Sequence, residues 1–473
     1  MTFLGLILRS IAEQCVSKDG ADLRKRPPLS LMVRSAAKRR VSNHEADLVL
    51  RDAILWIAPQ DEVGVKSKAL NEWMTFRVRT LAAIALSLAV TTPASAQPQD
   101  GKGTEFRAYV QKLWPQAEKR GVTRRTFDLA FAGVEPDPSV LALTQRQAEY
   151  GRPVGVYISG TLSPGRLSGG AQQMVKWADT LAAIERQFGV DPAIIVAIWG
   201  LETSYGAGPG NKDIIRSLAT LAASGYREEF CRDELLYALM ILQEGHISRD
   251  KITGSWAGAM GQPQFIPSSF VRWAVDFSGD GKRDIWTNVP DVLGSIANYF
   301  RKNGWQPGMP WGFEVSPPRS FDFRKSRGSF AEWAALGFHR ADGGKFPESG
   351  SAYLLFPSGA RGPGFLVTDN FVAIKRYNIS DAYALAIAHL ADRLRGGRPL
   401  VAAWPADDIQ LGRDERIRLQ RALASRGYPV NNFIGQIDFD QRDAIRAEQA
   451  KAGLRSDGHP DAALLQWLAK PAR

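Results

Sequence analysis

Cysteine is almost missing from this chain: Cys15 and Cys231 are the only two in 473 residues. A disulfide framework is therefore excluded, and stability must come from packing. Membrane-spanning runs are missing too. The apolar stretch Thr80 to Val90 is too short to cross a bilayer. Clustered basic charge is also lacking. The formal charge is +11, but the Lys and Arg residues are scattered, which leaves nucleic acid with little support as a partner.

What is present first is an export pattern. Met74-Thr-Phe-Arg-Val-Arg is a short basic opening, Thr80 to Val90 is the apolar segment, and Ala94-Ser95-Ala96 is a small-residue cleavage site before Gln97. Residues 74–96 thus read as a signal peptide, with Met74 as the expected true start. Residues 1–73, basic and without clean periodicity, read as a mis-assigned or disordered upstream extension. Removing the leader lowers the formal charge to +6 and leaves Cys231 alone. No cysteine follows the cleavage site, so a soluble exported protein of the periplasm is expected. A mildly basic exported chain suits an anionic envelope polymer.

The mature chain is long enough for more than one domain. The pattern predicts a mainly α (α+β) fold. Helical spacing runs over Phe106 to Ala132 and again over Val140 to Ala148, and Gly151 to Gly165 reads as extended or looping. Ala171 to Phe188 reads as one amphipathic helix, ended by Gly189. Further helices are expected at Asp233 to Gln243, Val289 to Asn303 and Asp381 to Leu394. Between Pro307 and Val372, aromatic and β-branched residues alternate with Gly and Pro, as a small inserted sheet would require. Gly396-Gly397-Arg398-Pro399 is a linker signal. Beyond it, Glu415 to Arg426, Asp440 to Lys451 and Asp461 to Leu468 predict a small three-helix unit. The expected domains are residues 97–398 and 405–473.

Three constellations carry chemistry. Asp191-Pro192 is a good helix start, and Ala193 to Trp199 has no polar side chain, so the helix is expected to be buried on most sides. It delivers Glu202 to its far end. Burial disfavours an ionised carboxylate, and a carboxylic acid kept neutral can protonate a leaving group. A structural Glu satisfied by an Arg or by backbone N–H groups fits this stretch equally well. Second, Gly254 to Pro267 mixes glycines that admit close backbone approach with Ser255, Gln264 and Phe265, a mix suited to sugars or to a tight packing corner. Third, Asp276, Ser278 and Asp280 stand at positions one, three and five of a loop with Gly281 at six, like a calcium loop. Lys282 would ligate through its carbonyl at position seven. The twelfth position is Thr287 rather than Glu, with Asp291 slightly further on. A solvated Asp/Gly turn is the alternative. Tyr377-Asn378 and Tyr383 flank the start of a late helix.

These motifs together resemble the lytic murein transglycosylase B family. The resemblance rests on Gly200-Leu-Glu-Thr, Gly254-Ser-Trp-Ala-Gly-Ala-Met-Gly, Gln264-Phe-Ile-Pro-Ser-Ser, Asp276-Phe-Ser-Gly-Asp-Gly, Ala297-Asn-Tyr-Phe and Arg376-Tyr-Asn, in the family's order over roughly Phe106 to Leu394. It implies a lysozyme-like helical catalytic core with a small inserted sheet. The implied reaction is cleavage of the β-1,4 MurNAc–GlcNAc bond of peptidoglycan, leaving a 1,6-anhydroMurNAc end. Glu202 matches the sole catalytic acid/base. Ser255 matches a hydroxyl near the acetamido group, and Gln264, Phe265, Tyr299, Tyr377, Asn378, Tyr383 and Tyr157 match cleft-lining groups. Arg227 matches one of a pair of arginines, although its neighbour here is Tyr226. Asp276, Ser278, Asp280, Lys282 and Asp291 match the metal loop, with one extra residue before Asp291. No cofactor is implied for the chemistry, only a structural calcium. The C-terminal unit resembles a peptidoglycan-binding domain through Leu419-Gln-Arg-Ala-Leu and Gly427-Tyr. The partners implied are peptidoglycan glycan strands and cell-wall synthesis or division proteins.

No second carboxylate stands out as a mate for Glu202, whereas ordinary glycosidases need two. A lytic transglycosylase needs one, because the sugar's own 6-hydroxyl attacks. A hydrolytic muramidase using Asp276 or Asp284 with water, and a non-catalytic wall-binding scaffold, are the rival expectations.

Overall fold

Hydrophobic patterning in the computed structural model, which describes residues 100–144 and 152–470, gathers a helical bundle around one buried helix. The upstream extension, the signal segment and residues 145–148 of the helix expected at 140–148 lie outside the described residues. The chain enters through α1 (Asp100–Lys112), α2 (Trp114–Lys119), α3 (Arg124–Phe131) and α4 (Pro138–Thr144). Then come α5 (Val154–Thr161), α6 (Pro164–Lys176), α7 (Ala178–Phe188) and the central α8 (Pro192–Thr203). In α8 the Asp191 carboxylate accepts from the Ala193 N–H at 2.8 Å and Pro192 takes the first helical position, as expected. Ala193 to Trp199 is buried without a break. At about 1.5–3 kcal/mol per fully buried aliphatic side chain, this helix anchors the core.

Two local expectations fail for physical reasons. Residues 154–161 are helical rather than extended. The Val154 N–H is capped by Asp408 Oδ2 at 2.8 Å, from a residue far along the chain, and Gly155 sits hard against the Trp404 side chain. Tertiary contact overrides weak local propensity there. The single helix expected over 171–188 is two, because Trp177 leaves helical geometry (φ −109°) and its indole N–H turns to the Gln173 side chain at 3.2 Å.

The bundle continues through β1 (Lys212–Asp213), α9 (Ile214–Ala223), α10 (Glu228–Gln243), β2 (Thr253–Gly254), α11 (Pro267–Trp273) and α12 (Val289–Lys302). β1 and β2 form a two-residue antiparallel pair. The inserted sheet follows as β3 (Gly312–Ser316), β4 (Arg327–Ser329), α13 (Phe330–Ala335), β5 (His339–Arg340), β6 (Ser351–Leu355) and β7 (Gly364–Val367). Its order is β4-β6-β7-β3-β5, antiparallel throughout, with Leu354 opposite Leu366 and Leu355 opposite Phe365. Alternation gives it two apolar faces. Leu354 and Leu366 join Phe330, Trp333 and Phe338 in a separate small core, while Leu355, Phe365 and Val367 join the main one. The chain returns to the bundle through α14 (Asp369–Tyr377) and α15 (Asp381–Leu394).

The stretch that reads as a linker lies strapped to the core. Glu314 accepts from the Val401 and Ala402 N–H groups, both at 2.7 Å, and Trp404 stacks on Phe365. The three-helix unit is α16 (Arg413–Ser425), α17 (Phe439–Lys451) and α18 (Ala462–Leu468), closed around Leu419, Leu423, Ile445, Leu464 and Leu468. Among the described residues no helix is long and apolar enough to cross a membrane.

Candidate active site

Glu202 sits half-buried one residue before the end of α8, and the chain makes that ending rigid. Ser204 (φ 50°) and Tyr205 (φ 62°) take left-handed backbone and break the helix. The Tyr205 ring folds back over Gly200, where a Cβ would lie 2.5 Å from its Cε1, and its hydroxyl donates to Arg166 O at 2.6 Å. The glycine two positions before Glu202 is thus dictated by close approach. On the other side, the Trp199 indole donates to Gln262 Oε1 and the Thr203 hydroxyl to Gln262 O, each at 2.8 Å.

Glu202 Oε1 accepts from the Tyr383 hydroxyl at 2.5 Å. Tyr383 is buried in the first turn of α15, and its hydroxyl is held well above the ordinary phenol range by loss of water, then by the Glu202 charge, Tyr377 and Tyr157. Tyr377, at the end of α14, is raised likewise, by burial first and then by Glu202 and Tyr299. Both phenols therefore stay protonated and act as hydrogen-bond donors, Tyr383 to the Glu202 carboxylate. Glu202, Tyr383, Tyr377 and Tyr157 form one electrostatic group.

Around it stands an aromatic wall. Tyr377 packs against Tyr299 at 4.8 Å, Phe300 at 5.8 Å and Phe265 at 6.0 Å between ring centroids. The Tyr377 hydroxyl donates to Pro263 O at 2.6 Å and that of Tyr299 to Arg376 O at 2.5 Å. These two hydroxyls hold the wall together. Asn378 is exposed beside them, its Oδ1 accepting from the Ser380 N–H at 3.1 Å.

The glycine-rich stretch folds as a narrow hairpin. The Ser255 N–H donates to Ala259 O at 2.7 Å, its Oγ accepts from the Ala259 N–H at 3.0 Å, and Met260 pairs with Phe265. A Cβ on Gly254 would fall 2.0 Å from Ala259 O, so only glycine fits. Gln264 takes φ 54° and its Nε2 donates to Pro209 O and Gly261 O, both at 2.9 Å. Arg227 follows Tyr226, which packs on Trp256 of the hairpin. Arg227 itself is exposed at the start of α10 with its guanidinium 4.2 Å over the Phe230 ring.

The acidic loop is prefolded. Asp276 Oδ1 accepts from the Gly279 N–H at 2.6 Å and Oδ2 from the Gly281 N–H at 2.7 Å. Burial opposes its ionisation, but these backbone donors win and lower its pKa. Asp291 is fully buried and accepts from the Phe277, Ser278 and Asp284 N–H groups, each at 2.9 Å, yet loss of water still raises its pKa. One carboxylate oxygen from each of Asp276, Asp280 and Asp291 falls within 4.8 Å of the others. Ser278 Oγ adjoins Asp276 Oδ1 at 3.3 Å, and the Lys282 N–H caps Asp280 at 2.9 Å. Hard oxygen donors converging on one point fit a calcium ion.

Sequence reasoning passed over Gln262, which is 7% exposed and joins α8 to this loop: its Nε2 donates to Trp286 O at 2.9 Å while its Oε1 takes the Trp199 indole. No local signal marks it out from Gln264 beside it, because its partners Trp199 and Trp286 lie far away in the chain.

Comparison with known proteins agrees with this architecture. The profile described as "Transglycosylase SLT domain" matches residues 105–392, and a peptidoglycan binding domain profile matches residues 412–468. The membrane-bound lytic murein transglycosylase B of Escherichia coli (strain K12) is 34% identical over 243 residues, 48% of this chain and 64% of that protein, so the match spans less than two thirds of that relative. SltB3 from Pseudomonas aeruginosa, solved in complex with NAG-anhNAM-pentapeptide, superposes with a TM-score of 0.70 at 46% identity, over 77% of this chain and 99% of that one. The Escherichia coli lytic transglycosylase Slt35 in complex with calcium superposes at 0.52 and 29%, over 62% and 93% of the two chains. With its helical core, inserted sheet and appended three-helix unit, this chain belongs to the transglycosylase SLT domain family.

Proposed function

We propose that the protein is an exported lytic transglycosylase that cleaves the β-1,4 MurNAc–GlcNAc bond of peptidoglycan with Glu202 as its one acid/base. The observation that carries this reading is the Tyr383 hydroxyl on Glu202 Oε1 at 2.5 Å, at the end of a buried helix. The Tyr383 hydroxyl fixes the Glu202 carboxyl at the helix end, the place from which it would meet the glycosidic oxygen. Glu202 protonates that oxygen as the bond breaks. The muramic acetamido carbonyl steadies the developing cation, oriented by the Ser255 hydroxyl. The resulting carboxylate then removes the proton of the sugar's 6-hydroxyl, which attacks the anomeric carbon. No water enters the product. Gln264, Phe265, Tyr299, Tyr377, Asn378 and Tyr157 line the saccharide cleft in this reading, and Arg227 stands at its margin.

Asp276 and Asp284 spend their oxygens on their own loop: Asp284 Oδ1 accepts from the Trp286 N–H at 2.8 Å and the Thr287 N–H at 2.9 Å. That supports one carboxylate over the two-carboxylate hydrolytic scheme. Asp276, Ser278, Asp280, the Lys282 carbonyl and Asp291 would hold a calcium ion, which would neutralise the loop and stiffen it. The module over residues 412–468 would grip glycan strands, and an export signal at residues 74–96 would direct the mature protein to the periplasm.

Digestion of purified sacculi with the wild type and Glu202→Gln tests the proposal. The wild type should release fragments whose sugar end is one water lighter than a reducing end. Glu202→Gln should bind sacculi and release none. Reducing-end products, or an active Glu202→Gln, would overturn it.

A further inference from the structure

The elements that carry three of the site's tyrosines are held by the C-terminal part of the chain. Tyr157 lies on α5, whose first N–H is capped by Asp408. Tyr377 lies two residues after Lys375, which is buried, donates to Ile437 O at 3.2 Å and pairs with Asp381 at 2.6 Å. Tyr383 lies two residues after Asp381, the first residue of α15. Asp381 in turn receives Arg442 from α17, a side chain 4% exposed that also donates to Gly458 O at 2.9 Å. Phe439, at the start of α17, stacks on Tyr353 of the sheet at 4.5 Å.

We propose that Arg442, acting through Asp381, is a positioning residue for the Tyr383 hydroxyl and hence for Glu202, so that the peptidoglycan-binding module tunes the acid as well as gripping the wall. The inference rests on the reading of Glu202 as acid/base. Its geometry is short and rigid. Asp381 and Tyr383 share the first turn of α15, where Ser380 Oγ caps the Tyr383 N–H at 3.4 Å. A displacement of the Asp381 carboxylate turns that end of the helix and moves the phenol relative to Glu202. The charged groups facing Asp381 are Lys375, Arg442 and Arg416, and they hold its carboxyl below the ordinary range against its burial. The groups facing Tyr383 are Glu202, Tyr377 and Tyr157.

The test uses the full chain and a short soluble glycan that needs no anchoring, beside sacculus binding and thermal melts. Arg442→Met should lower kcat roughly fivefold with KM unchanged. The alkaline limb of its pH profile should move upward, because a carboxylate that loses a donor holds its proton to higher pH. Arg442→Lys should recover most of the loss. Asp381→Asn keeps an acceptor on the same turn and should reproduce the effect, so it carries the test should Arg442→Met not fold. Arg327→Ala, which removes a rim contact of the module with Asp440 and Asp443, should leave kcat and the limb unchanged. Wild-type kcat and limb in the folded Arg442→Met and Asp381→Asn would overturn the proposal while Glu202→Gln stays dead. An equal loss in Arg327→Ala would overturn it too, because docking at large would then be the cause. An active Glu202→Gln would instead remove the reading beneath it.

Discussion

The Trp199 indole N–H donates to Gln262 Oε1 at 2.8 Å, and this buried bond sets how far the helix carrying Glu202 stands from the glycine hairpin. Gln262 spends its other end on Trp286 O. Gln262→Leu leaves both an indole N–H and a carbonyl unpaired in the core. It should cost about 2–4 kcal/mol of unfolding free energy in urea titrations, with activity falling in parallel. Unchanged stability would show that the amide is dispensable.

Tyr383→Phe keeps the packing and removes only the donor to Glu202. Its kcat should fall about tenfold, near the ~1.5 kcal/mol of a hydrogen bond to a charged group. Because the ionised glutamate loses support, the alkaline limb of the activity profile should shift to higher pH. A limb that moves down or stays put would contradict the assigned roles.

Calcium should raise the melting temperature of the wild type by about 3 °C or more once it exceeds its dissociation constant a hundredfold. Asp280→Asn should abolish that rise while leaving the melt in chelator unchanged, because Asp280 is exposed and its loop is already folded around Asp276 and Asp291. An undiminished rise would place the ion elsewhere.

His389 is buried in α15, and loss of water, helped by Arg393, lowers its pKa to about 4. The unfolded chain binds a proton near pH 6.5 that the folded chain refuses until about pH 4, so stability is lost as pH drops from 6.5 to 4. The loss is on the order of 3 kcal/mol. His389→Phe should flatten the slope of unfolding free energy between pH 6.5 and 4, read from urea titrations at several pH values. A slope equal to that of the wild type would refute the assignment.

Legibility followed locality. The start and body of the helix carrying Glu202 were readable because Asp191, Pro192 and an unbroken apolar run are all local signals, whereas its left-handed ending at Ser204 and Tyr205 was not. The helix carrying Tyr383 was readable for the same reason, down to both of its ends. The segment carrying Tyr157 was not, since its capping carboxylate comes from Asp408 and its glycine answers to Trp404. Among site residues, the types and their order were readable, but their hydroxyl partners were not. Nothing in the sequence announces that Tyr299 turns to Arg376 O or Tyr377 to Pro263 O, because those bonds join residues far apart in the chain. Gln262 was overlooked for the same reason.

The strap through Val401, Ala402, Trp404 and Asp408 has a consequence for how the protein would meet its polymer. A module on a loose leash would let the acid sweep a radius around each attachment, cutting wherever chance brought a bond. Bolted down as it is, the same module would hold a glycan strand at a constant offset from Glu202. Grip and cut would then behave as the two jaws of a caliper, and the length left between them would be a property of the fold.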